Sequence, residues 1–503
     1  MMVERTYDAL SLSVLLDGIA VVNPHDDRDI CGLCLDSRQI KKGECFVALS
    51  GARSQGAQFA HEAIAGGASA VLVEDVGIAL SAATPVIAIN GLRKELGRIA
   101  SRFYGQPSST LDIIAVTGTN GKTTIAQLCA QALKHLRGDA GYAGTLGLGR
   151  IGDLRRTENT TPDPIALQRF FAELNDHSCH AAAIEVSSHA IVQSRVVGTD
   201  IDVAVFSNIG HDHLDYHGSL EAYTRVKKSL FQYDGIRHVV VNLDDSVGRE
   251  IVNELRADVC CWTYSSQSNA DLDCKTRHLY LSQFVGNRAG STSRVATPEG
   301  DVEIKTPLIG DFNAQNLMAA LAALMALGIE AVAAAAALSR ASSISGRMEV
   351  IESGSPDAPL VIVDYAHTPE SLARVLATLR SMSKRRLICV FGCGGDRDKS
   401  KRAPMGRVAE RGADKLIVTS DNPRGERNQD IVTEILAGMQ IPRAVTVIHN
   451  RARAIEAAVD AAGADDIVLI AGKGHEVFQE SEGVRSPFSD PESAYIALQR
   501  GRS

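Results

Sequence analysis

The stretch VTGTNGKTT, at residues 116–124, carries residue types that bind nucleotide phosphates. It lies between the apolar run LDIIA and the helical pattern IAQLCAQAL. Backbone N–H groups of such a turn donate to phosphate oxygens, Lys122 can neutralise β/γ-phosphate charge, and Thr123 can bind Mg²⁺. The spacing is G-x-x-G-K-T, and Val116 stands where the longer GxxxxGK[ST] pattern has its first glycine. The order strand, loop and helix nevertheless predicts a nucleotide site.

Two further stretches carry groups that can hold a metal ion. Glu185 ends the apolar run HAAAIE, which puts its carboxylate at the same edge of a sheet as the glycine-rich loop. A second Mg²⁺ ligand and a strand-terminal cap are both compatible with that position. The stretch NIGHDHLDYHG has three histidines and two aspartates between His211 and His217. A structural zinc site is one hypothesis there, although no cysteine joins it and the spacing is not HExxH.

The stretch EAYTRVKKSLF contains a lysine on the apolar face of a predicted helix. Tyr223, Lys227, Leu230 and Phe231 share one face, while Lys228 is rotated by about 100° towards solvent. Apolar surroundings favour a neutral amine over an ammonium, and such an amine can take up CO₂ to become a carbamate that binds Mg²⁺. The alternative is a lysine that extends its ammonium to solvent along the apolar surface.

The elements that must position these residues are those of an α/β protein. Residues 1–107 contain the short strands ECFVAL, ASAVLVE and PVIAI and the helix AQFAHEAIAGG, which predict a small mixed α/β domain. Residues 108–345 alternate apolar strands with helices, the pattern of a P-loop ATPase-type parallel sheet covered on both faces. A more irregular β-rich piece lies between about residues 257 and 308.

Residues 346–503 contain five apolar runs that each lead into polar residues, with helical patterns between them. This predicts a doubly wound, Rossmann-like domain, in which ligands bind at the carboxyl ends of the strands. The candidates by position are Asp364, His367, Arg397, Asp421 to Arg424 and Gly472 to Glu476.

Composition excludes several classes of protein. The 503 residues are 45% hydrophobic and 22% charged, with a formal net charge of -8 and scattered basic residues, so no nucleic-acid or anionic-membrane surface is expected. Ten cysteines without disulfide-framework spacing, and a start without a signal-peptide layout, predict a cytoplasmic protein with reduced thiols. The apolar run 317–338 is mostly alanine and is split by Gly328 and Glu330, which favours two packed helices over a membrane span.

These stretches are followed in order by GDFNAQN, SGRMEV, DYAHTPESL, FGCGGDRDKSKR, SDNPRGE and AGKGHE. Together they resemble the Mur ligase family, from LDSR at Leu35 to FSD at Asp490, and most resemble the members that add the third residue of the peptidoglycan stem peptide. The resemblance implies an ATP- and Mg²⁺-dependent amide ligase that joins meso-2,6-diaminopimelate to UDP-MurNAc-L-Ala-D-Glu through an acyl phosphate. The expected partners are these small molecules, with no nucleic acid and no membrane insertion, and the expected state is a monomer.

The resemblance also assigns site residues, and it favours function over the alternatives for Glu185 and Lys227. The positions that match ATP contacts are Gly118, Thr119, Asn120, Gly121, Lys122, Thr123, Thr124, Asn316, Arg347 and Asp364. The Mg²⁺ ligands are Thr123, Glu185, His213 and Lys227 as a carbamate, and the catalytic set is Lys122, Glu185, His213 and Lys227. The UDP-MurNAc-dipeptide positions are Leu35, Ser37, Asn159, Thr160, Thr161, Ser187, Gln193 and Arg195. The diaminopimelate positions are Arg397, Asp421, Asn422, Pro423, Arg424, Gly472 and Glu476.

The choice of amino acid has a physical reason. Arg424 can bind the distal carboxylate of diaminopimelate through two parallel hydrogen bonds, and Glu476 suits its distal ammonium. Lysine has no distal carboxylate and would leave the Arg424 charge unpaired, at a cost of ~2–5 kcal/mol if that charge is buried. The alternatives are a related ligase that adds lysine or another amino acid and a nucleotide-binding protein without catalysis. On the uridine side, Gln55 stands where the family commonly has Asp.

Overall fold

The computed structural model describes residues 7–50, 56–74, 83–268, 277–355 and 357–500. These residues fall into two compact units. The first comprises the described parts of Met1–Thr117, Leu133–Ala204 and Ser229–Arg237, and the second those of Gly118–Ala132, Val205–Lys228 and His238–Ser503. Because this division cuts the chain inside two helices, the domain boundaries 1–107, 108–345 and 346–503 stay a prediction.

The N-terminal part of the first unit contains a four-stranded parallel sheet. The strands in chain order are β1 (Leu10–Ser11), β2 (Asp29–Ile30), β3 (Gly32–Cys34), β4 (Glu44–Ala48), β5 (Ala70–Val73) and β6 (Val86–Ala88). The helices are α1 (Leu12–Leu15), α2 (Ala60–Ala65) and α3 (Leu92–Phe103). The sheet order is β3-β4-β5-β6, and β1 pairs with β2 in a separate antiparallel ribbon. The three strands and the helix that the sequence predicts here are confirmed.

The middle of the chain alternates strands and helices, as predicted. Its strands are β7 (Asp112–Thr117), β8 (Gly141–Gly144), β9 (Gly147–Arg150), β10 (Asp153–Arg155), β11 (Ala181–Glu185), β12 (Val203–Phe206), β13 (His238–Asn242), β14 (Cys260–Ser265), β15 (Arg277–Asn287), β16 (Gly290–Thr297) and β17 (Gly300–Thr306). Its helices are α4 (Lys122–Arg137), α5 (Pro164–Asp176), α6 (Ser188–Val192), α7 (Leu214–His217), α8 (Leu220–Ser229), α9 (Ser246–Glu254), α10 (Asp311–Ala326) and α11 (Ala331–Leu338).

Each unit contains its own run of paired strands from this region. In the first unit the order is β10-β9-β8-β11-β7, where β8, β11 and β7 run parallel. In the second unit β13, β14 and β15 run parallel, and β16 and β17 continue antiparallel. The antiparallel strands β15 to β17 account for the irregular β-rich piece of the sequence.

The alanine-rich run forms two helices that pack against each other. α10 ends at Ala326, Gly328 has a φ of +80°, and α11 begins at Ala331. Residues with a side chain rarely adopt this conformation, so a glycine suits the turn between the two helices. Over the described residues, no helix combines the length and apolarity needed to cross a membrane.

The C-terminal part of the second unit is doubly wound, as predicted. Its strands are β18 (Glu349–Ile351), β19 (Leu360–Asp364), β20 (Leu387–Phe391), β21 (Lys415–Val418), β22 (Thr446–Val447), β23 (Ile467–Ala471), β24 (Phe478–Ser481) and β25 (Val484–Pro487). Its helices are α12 (Pro369–Met382), α13 (Arg402–Gly412), α14 (Asn428–Leu436), α15 (Arg451–Asp460) and α16 (Asp490–Arg500). The sheet order is β18-β19-β23-β20-β21-β22, and only β18 is antiparallel.

Both faces of this sheet are covered by hydrophobic side chains. Leu372, Leu379 and Ile431 pack against one face, and Ile455 and Leu498 pack against the other. Five adjacent parallel strands of apolar residues require this arrangement, because each strand sends alternate side chains to opposite faces. The carboxyl ends of β23, β20 and β21 are therefore neighbours at one edge.

Candidate active site

The glycine-rich loop after β7 is shaped by the segment that follows β12. The Thr119 N–H donates to Asn208 O at 2.7 Å, and the Asn120 N–H donates to Asn208 Oδ1 at 3.0 Å. Gly118 has a φ of +140°, and a Cβ there would lie 1.9 Å from Ser207 Oγ, so the position requires glycine. The loop leads into the 16-residue helix α4, which begins at Lys122. The N-terminus of a helix is a position that favours anions.

Two lysines meet on one carbonyl oxygen of this loop. Lys122 Nζ donates to Gly118 O and to Thr119 O, both at 2.9 Å, and Lys227 Nζ donates to Gly118 O at 2.8 Å. Lys227 is 1% exposed, and its Nζ lies 4.9 Å from the ring centroid of Tyr223. Burial and the adjacent Lys122 charge hold the pKa of Lys227 well below its ordinary value. The neutral amine is therefore favoured, as the sequence analysis expected.

The neighbouring lysine behaves differently. Lys228 Nζ lies 3.0 Å from Glu250 Oε2 and 2.6 Å from Glu254 Oε1. Both glutamates are on α9 and are largely exposed. The predicted rotation of the two lysines to different sides of α8 is confirmed, and Lys228 pairs with carboxylates at the surface.

The histidine-rich stretch does not form a metal cluster of its own. His213 has a φ of +54°, and its Nε2 lies 3.4 Å from Asp212 Oδ2. The His217 ring packs against Tyr216 and Tyr223, with centroids 4.9 and 5.1 Å away. Among the described residues no group of three or more His, Cys, Asp or Glu side chains is arranged to hold a metal ion. The zinc hypothesis therefore has no support, and His213 remains a candidate single ligand.

Residues from three elements of the second unit surround the start of α4. Arg347 Nη2 donates to Thr123 Oγ1 at 3.2 Å, and its guanidinium carbon lies 4.4 Å from the centroid of the Tyr365 ring. Asn316 lies against the loop, since a Cβ on Gly121 would be 2.6 Å from Asn316 Oδ1. The structure thus brings Thr123, Asn316 and Arg347 together, as the resemblance implied for an ATP site.

Asp364 supports this arrangement through the backbone. Its Oδ2 accepts from the Met348 N–H at 2.8 Å and its Oδ1 from the Ala366 N–H at 2.7 Å. Burial raises the pKa of Asp364, and the nearby Arg347 opposes that effect. The carboxylate therefore fixes the segment that carries Arg347.

In the first unit, Glu185 is the centre of a hydrogen-bond network. The side chain is fully buried, and its Oε1 accepts from Tyr142 Oη at 2.5 Å and from the Thr145 N–H at 2.8 Å. Its Oε2 accepts from Thr145 Oγ1 at 3.2 Å. A Cβ on Gly144 would lie 2.3 Å from Oε1, so glycine is needed beside the carboxylate. These contacts orient the carboxylate at the end of β11.

The predicted dipeptide-binding residues join the same network. Thr161 Oγ1 donates to Glu185 O at 2.7 Å and accepts from the Ser187 N–H at 3.0 Å. Arg195 Nη1 donates to Thr161 O at 2.6 Å, and Gln193 Oε1 accepts from Arg195 Nε and Nη2 at 3.0 and 2.7 Å. Thr160 Oγ1 lies 3.3 Å from Thr145 Oγ1, and Asn159 O accepts from Thr157 Oγ1 at 3.0 Å.

A separate cavity of about 510 Å³ contains the two predicted uridine-side residues. Leu35, Ser37, Phe46, Phe59 and Glu62 are among the residues that line it. Ser37 Oγ donates to Glu62 Oε2, a carboxylate that the sequence analysis did not identify. The apolar walls and the few polar groups suit a planar base. Gln55 lies outside the described residues.

The predicted diaminopimelate residues follow three adjacent strand ends in the second unit. Arg397 follows β20, Asp421 to Arg424 follow β21, and Gly472 to Glu476 follow β23. Arg424 Nη1 donates to Gly395 O at 2.8 Å, and its backbone has a φ of +50°. Two backbone hydrogen bonds to the β24–β25 hairpin hold that conformation, from the Arg424 N–H to Glu480 O and from the Glu482 N–H to Arg424 O.

One charged residue within the predicted range Gly472 to Glu476 was given no role of its own by the sequence analysis. Lys473 is fully buried and donates to Asn422 Oδ1 at 2.9 Å and to Glu476 Oε2 at 2.7 Å. Asn422 Nδ2 also donates to Glu476 Oε2, at 2.7 Å. The available signal was a lysine between two glycines directly after an apolar strand.

Comparison with known proteins connects both units to one family. Three family models match the chain: "Mur ligase family, catalytic domain" over residues 29–104, "Mur ligase middle domain" over 116–324 and "Mur ligase, glutamate ligase domain" over 346–474. Each range falls inside one of the three predicted domains.

Relatives match along almost the whole chain. The UDP-N-acetylmuramoyl-L-alanyl-D-glutamate--2,6-diaminopimelate ligase of Pseudomonas aeruginosa is 45% identical over 479 residues, 94% of this chain and 96% of its own. The Coxiella burnetii ligase of the same name is 44% identical over 471 residues, 93% of this chain and 96% of its own. A solved structure of a ligase with this name has a TM-score of 0.71 and 36% identity, and the match covers 98% of this chain and 100% of that one.

Proposed function

The chain belongs to the Mur ligase family, and from that premise we propose that it joins meso-2,6-diaminopimelate to UDP-MurNAc-L-Ala-D-Glu at the expense of ATP. The reaction is a step of peptidoglycan synthesis. The observation that carries the choice of amino acid is the set of Asn422, Arg424 and Glu476, which follow β21 and β23 on either side of β20. A guanidinium and a carboxylate at one edge suit the carboxylate and ammonium at the far end of diaminopimelate.

The glycine-rich loop binds the phosphates of ATP. The amides at the start of α4 donate to phosphate oxygens, and the Lys122 ammonium moves from Gly118 O and Thr119 O to the transferring phosphate. Arg347, already against Thr123, adds a second cation beside the same phosphates. These groups disperse the charge that builds up during transfer.

The reaction then proceeds in two steps. An oxygen of the D-glutamyl γ-carboxylate attacks the γ-phosphorus, the bond from phosphorus to the β–γ bridging oxygen breaks, and ADP leaves with that electron pair. The amine of diaminopimelate attacks the acyl carbon of the resulting acyl phosphate and loses a proton. Phosphate leaves with the carbon–oxygen electron pair, so an amide forms for each ATP consumed.

The donors present fit Mg²⁺, which takes oxygen ligands from one or two carboxylates together with phosphates and water. Within the second unit Thr123 offers a hydroxyl and His213 an imidazole nitrogen, and within the first unit Glu185 offers an oriented carboxylate. Bound Mg²⁺ would neutralise charge on the phosphates. The Lys227 amine attacks CO₂, loses a proton and becomes a carbamate, which adds an anion to the second unit.

The experiment that tests the function is phosphate release from ATP with UDP-MurNAc-L-Ala-D-Glu while the third amino acid is varied. We expect release with meso-diaminopimelate, and a kcat/KM for L-lysine that is lower by about 10-fold or more, because lysine leaves the half-buried Arg424 without a carboxylate partner. The tripeptide product is identified by mass spectrometry. Equal phosphate release with lysine would show that the site does not select diaminopimelate. If no amino acid gave phosphate release, the proposed ligase function would be wrong.

A further inference from the structure

Lys473 is a buried cation placed between two residues of the proposed diaminopimelate site. It follows β23 by two positions and is fully buried. Its Nζ lies 2.9 Å from Asn422 Oδ1, 2.7 Å from Glu476 Oε2 and 5.8 Å from the ring centroid of Phe478. A buried ammonium needs such partners, because its transfer out of water is unfavourable unless charged and polar groups replace its hydration.

The three polar side chains form a closed triangle of hydrogen bonds. Lys473 can only donate, so the Asn422 amide must present Oδ1 to it and Nδ2 to Glu476. The Glu480 N–H, on β24, also donates to Asn422 Oδ1 at 3.0 Å. The triangle therefore fixes the amide orientation of Asn422 and ties the segment after β21 to the segment after β23.

The triangle also changes the charge that Glu476 offers to a ligand. Its Oε2 accepts from both Lys473 and Asn422, while the side chain stays 21% exposed. A ligand ammonium that reaches Glu476 meets a carboxylate whose charge is already balanced. At the same edge of the sheet, Arg424 Nη1 donates to Gly395 O, after β20.

We propose that Lys473 is a positioning residue that determines specificity by neutralising and orienting Glu476. The site then accepts an amino acid whose far end carries both a carboxylate and an ammonium, and it rejects one whose far end carries an ammonium alone. This inference rests on the function proposed above. A far-end zwitterion brings the carboxylate that Arg424 pairs with, and its ammonium needs only to donate a hydrogen bond to Glu476. A lone far-end ammonium gains no unbalanced anion and adds a third cation to Lys473 and Arg424.

The test is the ratio of kcat/KM for meso-diaminopimelate to kcat/KM for L-lysine in Lys473→Met. Methionine keeps the length and apolar stem but leaves the Glu476 charge unbalanced. We expect the ratio to fall by about 10-fold or more, through a higher KM for diaminopimelate and a higher kcat/KM for lysine. Lys473→Gln, which retains a donor of similar size, carries the same test if the methionine variant does not fold.

A double-mutant cycle separates positioning from general damage. If Lys473 acts through Glu476, Lys473→Met combined with Glu476→Gln gives the same substrate ratio as Glu476→Gln alone. Arg386→Met is the control, because Arg386 pairs with the fully buried Asp466 at the opposite ends of β20 and β23, away from the proposed site. This control is expected to lower thermal stability and leave the ratio unchanged.

The outcomes are distinguishable. A reduced ratio in Lys473→Met that does not fall further in the double variant supports the inference. An unchanged ratio in a folded Lys473 variant, with wild type active on diaminopimelate, overturns the inference and leaves the proposed function standing. Wild type that forms no amide with diaminopimelate removes the proposed function, and the inference with it.

Discussion

Two lysines are buried among the described residues of the second unit, and the groups around them give them opposite chemistry. Lys227 is 1% exposed and donates to a neutral carbonyl, Gly118 O, which it shares with another lysine, Lys122. Lys473 is fully buried and donates to the carboxylate of Glu476. Burial is the same in both cases, so burial alone does not tell what a lysine does.

The difference lies in the charged groups that surround each buried lysine. Burial and the second cation, Lys122, disfavour the ammonium, so Lys227 has a lowered pKa and is available as a nucleophilic amine. Lys473 instead forms an ion pair with a carboxylate at 2.7 Å, so it acts as a fixed charge. One buried lysine thus suits covalent chemistry with CO₂ and the other suits orientation of a neighbour.

The largest effect is expected from removal of the Lys227 amine. Lys227→Met should lower ATP-dependent phosphate release by about 1000-fold, because the carbamate that would join the magnesium ligands cannot form. Phosphate release is measured with and without added bicarbonate in CO₂-depleted buffer. Wild type should respond to bicarbonate and the variant should not.

Lys228→Met is the matched control for that variant. Lys228 is the next residue on α8 and pairs with Glu250 and Glu254, two largely exposed carboxylates, so activity should change by no more than about twofold. Near-normal turnover in Lys227→Met, insensitive to bicarbonate, would remove the carbamate and with it the contrast between the two lysines.

A third buried cation shows what an ion pair contributes when no ligand is involved. Arg451 and Asp490 are both fully buried, with Nε to Oδ1 and Nη2 to Oδ2 distances of 2.7 Å. Arg451→Met should lower the free energy of unfolding by about 3 kcal/mol, since Asp490 is left buried without its partner. Denaturant unfolding of the full chain measures this, and an unchanged midpoint would show that water replaces the guanidinium.

The geometry of the cation is expected to matter as much as its charge at Arg424. Arg424→Lys keeps the charge but loses the planar fork, so the KM for diaminopimelate should rise by about 10-fold with little change in kcat. Steady-state kinetics with varied diaminopimelate check this. A fall in kcat at constant KM would place Arg424 near the reacting amine instead of at the far end of the amino acid.

The sequence predicted the burial of one of the two lysines and gave no role to the other, for a physical reason. Lys227 lies on a helix, where a 3.6-residue period tells which side chains face the core, and the structure places it there. Lys473 lies in a loop after β23, where no period indicates burial. Its partner Asn422 is 51 residues away and meets it only through the order of the strands in the sheet.

The same limit applies to the rest of the site. The alternation of strands with helices and the glycine-rich loop follow from local patterns, and both were predicted. The contact of Tyr142 with Glu185 depends on the parallel pairing of β8 with β11, and that of Ser37 with Glu62 depends on the packing of α2. Side chains that orient a functional residue from another element therefore appear only once the chain is folded.

The smallest effect is expected from the hydroxyl beside Lys227. Tyr223 Oη lies 3.1 Å from Thr119 Oγ1, which also accepts from the Gly210 N–H at 2.9 Å. Tyr223→Phe keeps the ring next to Lys227 and removes one of these hydrogen bonds, so the free energy of unfolding should fall by about 1 kcal/mol and turnover by no more than about twofold. Denaturant unfolding and phosphate release are compared on the same preparation. A large loss of turnover at unchanged stability would mean that the hydroxyl takes part in the chemistry of the Lys227 amine, and that this lysine, like Lys473, depends on a polar partner.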